Sequence, residues 1–341
     1  MKYRRLGRTN IEVFPIAFGG IPIQRLSEDN AVKVIRRAIE LGINFIDTAR
    51  SYTDSEIKIG KALKGIDKRI YIASKSGNRT KDGIFEDVKI SLRNLGVKKI
   101  DIYQLHGVND RDAFDKVFSG DGAYWGLLKA KEEGLIGHVA ISSHSTDLLE
   151  EIITTDKFDV IQLCYNFIEN KVEEKIFSMA LEKDIGIIGM KPMGGGVLPN
   201  PALSLKYVLQ KEFLVPDPGM ESIEEVEENV KVAMNLTEIT PEEYEEIERT
   251  RKELGSTFCR RCEYCQPCPQ GVPITSIMRT KDFLKRLPRE TVEKGWFYDA
   301  YLQAQNCTKC GTCLPRCPYQ LPIPDLIERN IQLIKDYLEN K

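Results

Sequence analysis

Short apolar segments rich in β-branched residues recur eight times before about residue 235, and amphipathic segments separate them. Runs of this length predict buried strands, and the segments between them have the spacing of helices. Eight strand–helix units predict an α/β protein with a (β/α)8 barrel, the TIM-barrel architecture. A doubly wound sheet is the alternative, but no Gly-x-Gly-x-x-Gly follows the first run. The predicted strands are Val13–Phe18, Asn44–Thr48, Ile70–Ser74, Ile100–Leu105, His138–Ser142, Val160–Tyr165, Ile185–Met190 and Phe213–Pro216.

The segments around the predicted barrel also have recognisable boundaries. Tyr3–Val13 reads as a hairpin that would cover the barrel floor. Thr240-Pro-Glu-Glu243 has the signature of a capping box, and the helix it begins should end near Gly255. Residues 281–305 and 324–341 are predicted to be helical. We therefore predict a barrel domain at residues 1–236 and a helical extension with a metal-binding domain at residues 237–341.

Eight of the nine cysteines lie in two clusters near the end of the chain. The second cluster, with two residues between its first three cysteines and a final Cys-Pro, has the spacing of one half of a bacterial ferredoxin. That spacing predicts a ferredoxin-like domain with [4Fe–4S] clusters. Zinc is the alternative, but zinc sites use pairs of cysteines rather than a third Cys and a Cys-Pro. The candidate metal ligands are Cys259, Cys262, Cys265, Cys268, Cys307, Cys310, Cys313 and Cys317.

The two cysteine clusters are copies of each other, since Cys268-Pro-Gln-Gly-Val-Pro-Ile recurs as Cys317-Pro-Tyr-Gln-Leu-Pro-Ile. By the ferredoxin rule, the fourth cysteine of each motif binds the other motif's cluster. Cys268 would then complete the second cluster and Cys317 the first. The first motif has two residues rather than three before its last cysteine. Two clusters are therefore expected, and a single cluster is the alternative.

Composition limits the possible partners and compartment. Of 341 residues, 42% are hydrophobic and 29% are charged, which is typical of a globular protein. A net charge of −2 gives no reason to expect a nucleic-acid partner. No apolar run approaches the roughly 18 residues needed to span a membrane, and the basic start is not followed by the apolar region of a signal peptide. Cysteines with metal-ligand spacing predict a cytoplasmic protein.

Four polar residues follow three consecutive predicted strands. Asp47 ends the second, with Tyr52 in the loop beyond, Lys75 ends the third, and His106 follows the fourth. In a (β/α)8 barrel such positions meet at the face that carries the active site. A lysine paired with a carboxylate would stabilise a phenolate, and a neutral imidazole could hold a carbonyl oxygen. Each residue has a structural explanation when taken singly, but their joint placement favours a catalytic site for carbonyl reduction.

These segments resemble the aldo/keto reductase family. The resemblance lies in residues 44–56, in Ile72-Ala-Ser-Lys75 and in Asp101-Ile-Tyr-Gln-Leu-His106, and the cysteine region is similar to that of the ferredoxin-containing branch. It implies that Asp47, Tyr52, Lys75 and His106 are the family's catalytic tetrad. It also implies hydride transfer between NAD(P)H and a small carbonyl substrate, with Tyr52 as the proton donor.

The resemblance assigns cofactor contacts as well. Ser142 and Ser143 lie where the family has a Ser-Asn pair that holds the nicotinamide carboxamide, and Gln162 matches the carboxamide-binding glutamine. Met190 replaces an aromatic residue that commonly stacks on the nicotinamide. Lys191 through Gly194 matches the loop that binds the pyrophosphate.

Residues 218–229 match the adenosine-binding segment of the family, with Asn229 retained near the adenine. Where members that use NADPH have cations for the 2′-phosphate, this chain has Gly219, Glu221 and Glu225. A carboxylate repels a phosphate but can accept hydrogen bonds from a ribose diol. NADH is therefore expected to be favoured, although Glu221 and Glu225 also suit an ordinary acidic helix start.

The sequence thus predicts an oxidoreductase that transfers hydride to or from a small carbonyl or alcohol, coupled to [4Fe–4S] electron transfer. A hydride carries two electrons and a cluster carries one, so a bound flavin such as FMN is a candidate converter. Ferredoxin or another redox protein is a candidate partner. Two alternatives stay open: a flavin- or ferredoxin-linked electron-transfer protein that does not use nicotinamide, and a reductase whose clusters are purely structural.

Overall fold

The computed structural model describes residues 3–261 and 263–339. The chain divides into two compact units. The first comprises the described residues up to Gly194 together with Asn200–Ile239, and the second comprises Gly195–Pro199 with the described residues from Thr240 onward. The predicted domain boundary after residue 236 stays a prediction. Among the described residues, no helix combines the length and the apolar character needed to cross a bilayer.

The first unit begins with the predicted hairpin. Strand β1 (Arg4–Arg5) pairs antiparallel with β2 (Glu12–Val13) around a 3-10 turn at Gly7–Thr9. Leu6 and Val13 are fully buried and join the cluster of side chains that fills the barrel interior. The hairpin thus closes one end of the barrel, as predicted.

Eight parallel strands follow in chain order, each hydrogen-bonded to the next. The edge strands meet as well, because the Ala17 N–H donates to the Pro216 carbonyl over 2.8 Å and the Gly19 N–H donates to the Pro218 carbonyl over 2.9 Å. The predicted barrel is therefore confirmed. Its strands are β3 (Phe18–Gly19), β4 (Phe45–Asp47), β5 (Tyr71–Ser76), β6 (Ile100–Leu105), β7 (Ile136–Ser143), β8 (Val160–Cys164), β9 (Gly186–Met190) and β10 (Leu214–Pro216).

Only the first predicted strand differs clearly in extent. The run Val13–Phe18 is divided between the end of the hairpin and β3, because Val13 belongs to β2. A continuous apolar run does not reveal where one buried strand ends and another begins.

Helices surround the barrel strands, and their apolar faces pack on the outside of the sheet. Ser27 caps the first helix, accepting the Asn30 N–H, and Thr80 caps the third, accepting the Gly83 N–H. Gly96 ends that third helix in the left-handed conformation that favours glycine. The helices are α1 (Glu28–Glu40), α2 (Ser55–Leu63), α3 (Lys81–Leu95), α4 (Arg111–Phe118), α5 (Ala123–Glu132), α6 (Thr146–Thr154), α7 (Ile176–Glu182), α8 (Pro201–Leu209) and α9 (Ile223–Met234).

The second unit is helical and has a core of its own, in which Ile277, Phe297 and Ile334 are fully buried. Thr240 and Glu243 form the predicted capping box at the start of its first helix. The segment between the cysteine clusters, predicted to be a helical spacer, consists of several short helices. The helices of this unit are α10 (Pro241–Gly255), α11 (Ile274–Ile277), α12 (Thr280–Arg286), α13 (Arg289–Lys294), α14 (Trp296–Ala304) and α15 (Ile323–Glu339).

Candidate active site and candidate cluster-binding sites

A buried ion pair lies at the C-terminal ends of β4 and β5. The Lys75 ammonium donates to the Asp47 carboxylate and, over 2.9 Å, to the Thr48 carbonyl. Asp47 is 3% exposed and Lys75 is 2% exposed. Burial acts to lower the pKa of Lys75, but the negative charge of Asp47 and the nearby Tyr52 outweigh it and raise that pKa. Lys75 is therefore charged at neutral pH.

Tyr52 and His106 lie beside that ion pair. The Lys75 Nζ is 5.2 Å from the centre of the Tyr52 ring. The His106 ring meets the Tyr52 ring edge-on, with 5.9 Å between the ring centroids. Burial, reinforced by the positive charges of Lys75, Arg79 and Lys191, lowers the pKa of His106 to about 3. The imidazole is therefore neutral, and the four residues predicted to be catalytic lie together.

The residues predicted to hold the nicotinamide come from neighbouring strands. Ser142 and Gln162 are direct partners across β7 and β8, and both are buried. The Ser142 hydroxyl accepts the Gly107 N–H over 2.9 Å, and the Ser143 hydroxyl accepts the Ser145 N–H over 3.1 Å. Gln162 Oε1 is buried and receives no hydrogen bond from any described group. That oxygen fits the NH2 of a carboxamide, which would supply the missing donor.

The loop after β9 contains the residues predicted to bind the pyrophosphate. Lys191 and Gly194 both have positive φ angles, and the Gly194 N–H donates to the Lys191 carbonyl over 2.9 Å. The Lys191 ammonium lies 3.3 Å from His144 Nε2. Met190, which ends β9, is only partly buried. The loop thus brings a cation and exposed backbone together at the C-terminal end of β9.

In the loop after β10, Glu221 has a cationic partner that the sequence did not reveal. Glu221 forms an ion pair with Arg25, whose Nε lies 3.0 Å from the carboxylate. Glu225 accepts the Glu221 N–H over 2.7 Å, so it closes the turn before α9. Gly219 is exposed in the same loop, and Asn229 is buried on α9. A cation from the start of the barrel sequence, Arg25, thus lies beside the segment that is predicted to bind adenosine.

Sequence reasoning missed further polar groups inside the barrel. Gln104 donates to Asp47 over 3.1 Å, and Asp217 accepts a hydrogen bond from Gln162 over 2.6 Å. Both are buried. Strand periodicity could have found Gln104, since it lies two residues before His106 and on the same face. Asp217 directly follows β10, where barrel enzymes place functional residues.

In the second unit, the described parts of the two cysteine motifs share several backbone features. The residue before the second cysteine of each motif has positive φ, 60° at Arg261 and 54° at Lys309. The fourth cysteines begin matching turns, in which the Gly271 N–H donates to Cys268 and the Gln320 N–H donates to Cys317. Left-handed residues in such loops turn successive amides toward one point, which suits an anionic cluster. The duplication seen in the sequence is therefore also structural.

The cysteines line two cavities, which enclose about 340 and 330 Å³ with the open solvent at their mouths included. The cysteines around the larger cavity are Cys265, Cys268, Cys307, Cys310 and Cys313. Those around the smaller cavity are Cys259, Cys265 and Cys317. Each cavity thus combines cysteines of both motifs, as ligand exchange requires, and the thiol donors fit iron–sulfur clusters. Cys262, also predicted to be a ligand, lies outside the described residues.

The thiols of the second motif are also close in space. Burial raises the pKa of Cys313, and the neighbouring thiols of Cys307, Cys268 and Cys310 add to the effect. Hydrogen bonds from Thr312 lower the pKa of the exposed Cys310.

Within the described parts of the chain, no three His, Cys, Asp or Glu side chains are arranged to hold a single metal ion.

Comparison with known proteins identifies both units. Residues 15–202 match the model of the aldo/keto reductase family. The chain belongs to this family. Residues 258–321 match a 4Fe-4S dicluster domain. The chain is therefore an oxidoreductase of the aldo/keto reductase type that carries a ferredoxin-like iron–sulfur domain.

Individual relatives agree with this assignment. An uncharacterized oxidoreductase of Schizosaccharomyces pombe is 31% identical over 244 residues, which is 63% of this chain and 77% of that protein. The L-galactose dehydrogenase of Arabidopsis thaliana is 26% identical over 69% of this aldo/keto reductase and 89% of its own length. A holo-form aldo-keto reductase of Bacillus halodurans is 28% identical and superposes with a TM-score of 0.63, covering 73% of this chain and 96% of that one.

Proposed function

We propose that this aldo/keto reductase reduces the carbonyl group of a small aldehyde, ketone or sugar, or oxidises the corresponding alcohol, by hydride transfer. The supporting observation is the buried Lys75–Asp47 ion pair beside Tyr52, with a neutral His106 against the same ring. A phenol is a poor acid near neutral pH, and an adjacent buried cation stabilises its phenolate. The arrangement therefore suits a tyrosine that gives its proton to a carbonyl oxygen.

Each side chain has a separate role in this proposal. Tyr52 donates the proton, and Lys75 stabilises the phenolate that remains. Asp47 holds the ammonium in place through their hydrogen bond. His106, with its pKa lowered to about 3, orients the carbonyl oxygen without competing for the proton.

A reduced nicotinamide would supply the hydride when bound. Gln162 Oε1 would accept the carboxamide NH2, with Ser142 and Ser143 beside it. Lys191 and Gly194 would hold the pyrophosphate, and Gly219, Glu221, Glu225 and Asn229 would surround the adenosine. NADH should be favoured, because Arg25 is paired with Glu221 and Glu225 adds a further carboxylate to the same loop, which would repel a 2′-phosphate.

The second unit would hold two [4Fe–4S] clusters with exchanged ligands. The cavities support one set of Cys307, Cys310, Cys313 and Cys268 and another that includes Cys259, Cys265 and Cys317. The motif spacing assigns Cys262 to the second set. These clusters would exchange single electrons with ferredoxin or another redox protein in the cytoplasm, and FMN is the proposed converter between one-electron and two-electron transfer.

The test of this function is the variant Tyr52→Phe in anaerobically purified, cluster-loaded protein. It should reduce carbonyl turnover by about a hundredfold or more, the usual contribution of general acid catalysis, while nucleotide affinity stays within about twofold. Stopped-flow oxidation of NADH and NADPH, with fluorescence titration of each nucleotide, measures both. Full activity in Tyr52→Phe, or flavin in the protein without nicotinamide turnover, would contradict the proposal.

A further inference from the structure

Asp217 directly follows β10 and lies among the groups of the proposed active site. It is only 8% exposed to solvent. Its Oδ2 accepts a hydrogen bond from Gln162 Nε2 over 2.6 Å. Asp47 lies just across β3, since Gly19 pairs with Asp47 in the sheet and, having no side chain, lies directly against the Asp217 carbonyl. The charge of Asp47 therefore acts on the Asp217 carboxyl group. No N–H or O–H of the described residues donates to Oδ1. Asp217 thus connects the group that holds Lys75 to the group proposed to hold the nicotinamide.

The charges around Asp217 do not balance if the carboxyl groups of Asp217 and Asp47 are both ionised. The charged or titratable groups that face it are Asp47 on β4 and Lys75 on β5. The groups that approach it from β3, β8 and β9 are Gly19, Gln162 and Gly189, which are uncharged. One ammonium would then face two buried carboxylates, and a buried charge without a partner is strongly unfavourable.

A proton removes this imbalance. Burial, together with the negative charge of Asp47, raises the pKa of Asp217 well above its usual value, and Lys75 only partly opposes the rise. Two neighbouring buried carboxyl groups cannot both ionise easily, so such a pair holds a proton.

We propose that Asp217 is a protonated positioning residue, whose carboxyl group fixes both the Asp47 carboxylate and the Gln162 amide. A protonated carboxyl has one O–H donor and keeps an acceptor oxygen. The O–H, on the oxygen that receives no hydrogen bond, donates to Asp47, and the other oxygen accepts from Gln162. Because Nε2 of Gln162 is engaged in this way, its Oε1 is left to accept a hydrogen bond from a carboxamide.

Asp217→Asn is the variant that mimics this state. The asparagine NH2 can donate to Asp47 and its carbonyl can accept from Gln162, so both hydrogen bonds of a protonated aspartate are reproduced. Asp217→Ala removes both. Asp159→Asn is the matched control, since Asp159 accepts hydrogen bonds from Lys131 over 3.0 Å and His138 over 3.2 Å. Although burial acts against it, these bonds lower the pKa of Asp159 to about 2, so it is ionised at neutral pH.

Difference infrared spectroscopy of the anaerobic full-length protein at neutral pH tests the protonation directly. The spectrum of the wild type minus that of Asp217→Asn should show the C=O stretch of a protonated carboxyl group. The spectrum of the wild type minus that of Asp159→Asn should show carboxylate bands only. Carboxylate bands in the first difference spectrum would overturn the proposal. This measurement needs no substrate and no turnover.

The positioning role is tested by kinetics, and this part rests on the proposed reductase function. Asp217→Ala should raise the KM for the nicotinamide nucleotide about tenfold, corresponding to one lost hydrogen bond, and Asp217→Asn should recover most of that loss. An equal loss in both variants would mean that Asp217 acts as a charge, and the proposal would be wrong. A wild-type protein without nucleotide turnover would contradict the proposed function, whereas the infrared result would still decide whether Asp217 is protonated.

Discussion

At the scale of single residues, the candidate active site depends on a lysine that is almost completely buried. Lys75 is enclosed by Asp47, the Thr48 carbonyl and the Tyr52 ring. A buried cation in such a position changes the acidity of its neighbours far more than a solvated one would, because little solvent screens it. The same burial makes the lysine important for stability.

Replacing Lys75 with methionine should therefore have two effects. Carbonyl reduction should fall by about a hundredfold or more, because the phenolate of Tyr52 loses its cation. The free energy of unfolding should fall by roughly 3–5 kcal/mol, because Asp47 is left buried without its partner. Steady-state kinetics and denaturant titration measure the two effects. Lys58→Met is the matched control, since Lys58 is also buried beside a carboxylate, 2.8 Å from Asp54, and should lose stability without losing the chemical step.

The protonation of His106 can be followed directly, because the chain has only three histidines. With a pKa near 3, His106 should stay neutral between about pH 5 and 8, where an ordinary histidine titrates. As the pH falls below about 6.5, a histidine in the unfolded state binds a proton while His106 in the folded state does not. The free energy of unfolding should therefore decrease as the pH falls from about 6.5 toward 3. Imidazole 15N NMR, assigned with His106→Asn, measures the titration. A midpoint near 6.5 would show that the site is more open than the structure indicates.

Cofactor preference should depend on the pair of Arg25 and Glu221. Glu221→Gln should free Arg25 to meet a 2′-phosphate and so improve the KM for NADPH relative to NADH by about tenfold, as expected for one charge-assisted contact. Glu225→Arg should act in the same direction by adding a cation. Arg25→Gln combined with Glu221→Gln is the control and should cancel the gain. Strong NADPH preference in the wild type would instead mean that other residues hold the phosphate.

At the scale of elements, the N-terminal hairpin completes the barrel. Leu6, from the turn between β1 and β2, is fully buried among the side chains that point into the barrel from its strands. Gly186 at the start of β9 allows this close approach, since a Cβ there would lie 2.8 Å from the Leu6 side chain. The hairpin therefore belongs to the core, although it lies outside the eight strands.

Shortening Leu6 to alanine should destabilise the first unit by about 2–5 kcal/mol, because the removed side chain leaves a cavity in the barrel. Denaturant titration followed by circular dichroism measures this loss. Leu181→Ala is the control, since Leu181 is 47% exposed on α7 and its truncation should change stability little. Equal stability of both variants would mean that the hairpin does not seal the barrel in solution.

At the scale of the whole molecule, the family assignment accounts for the barrel, and the duplicated cysteine motif accounts for the second unit. Each cavity is lined by cysteines of both motifs, which supports the proposed exchange of the fourth ligands. Under that proposal, the number of clusters should depend on the fourth cysteine of each motif.

Anaerobic protein should contain about eight iron and eight sulfide per chain, as expected for two [4Fe–4S] clusters. Cys268→Ser should reduce both counts to about four by removing a ligand from the cluster of the second motif, and Cys317→Ser should remove the other cluster. Iron and sulfide analysis gives the counts, and electron paramagnetic resonance of the reduced protein shows which cluster each variant has lost. Cys164→Ala, which changes a buried cysteine of β8, should leave both counts intact. Only four iron in the wild type would exclude the exchanged pair.

The sequence by itself determined the architecture of the barrel, because eight strand–helix repeats with apolar periodicity have few other ways to bury their surfaces. It also determined the cluster-binding motif, because ligand spacing is a local property. The four proposed catalytic residues could be predicted as well, since each lies at or just beyond the end of its own strand and the topology brings those ends together.

Only the tertiary structure decided which groups meet inside the barrel. Nothing local marks Asp217 as a neighbour of Asp47, since 170 positions separate them and contact depends on closure of the sheet between β10 and β3. Arg25 and Glu221 meet for the same reason. Charge state follows from such contacts, because burial and neighbouring charges, not residue type, set the protonation of a carboxyl group or an imidazole.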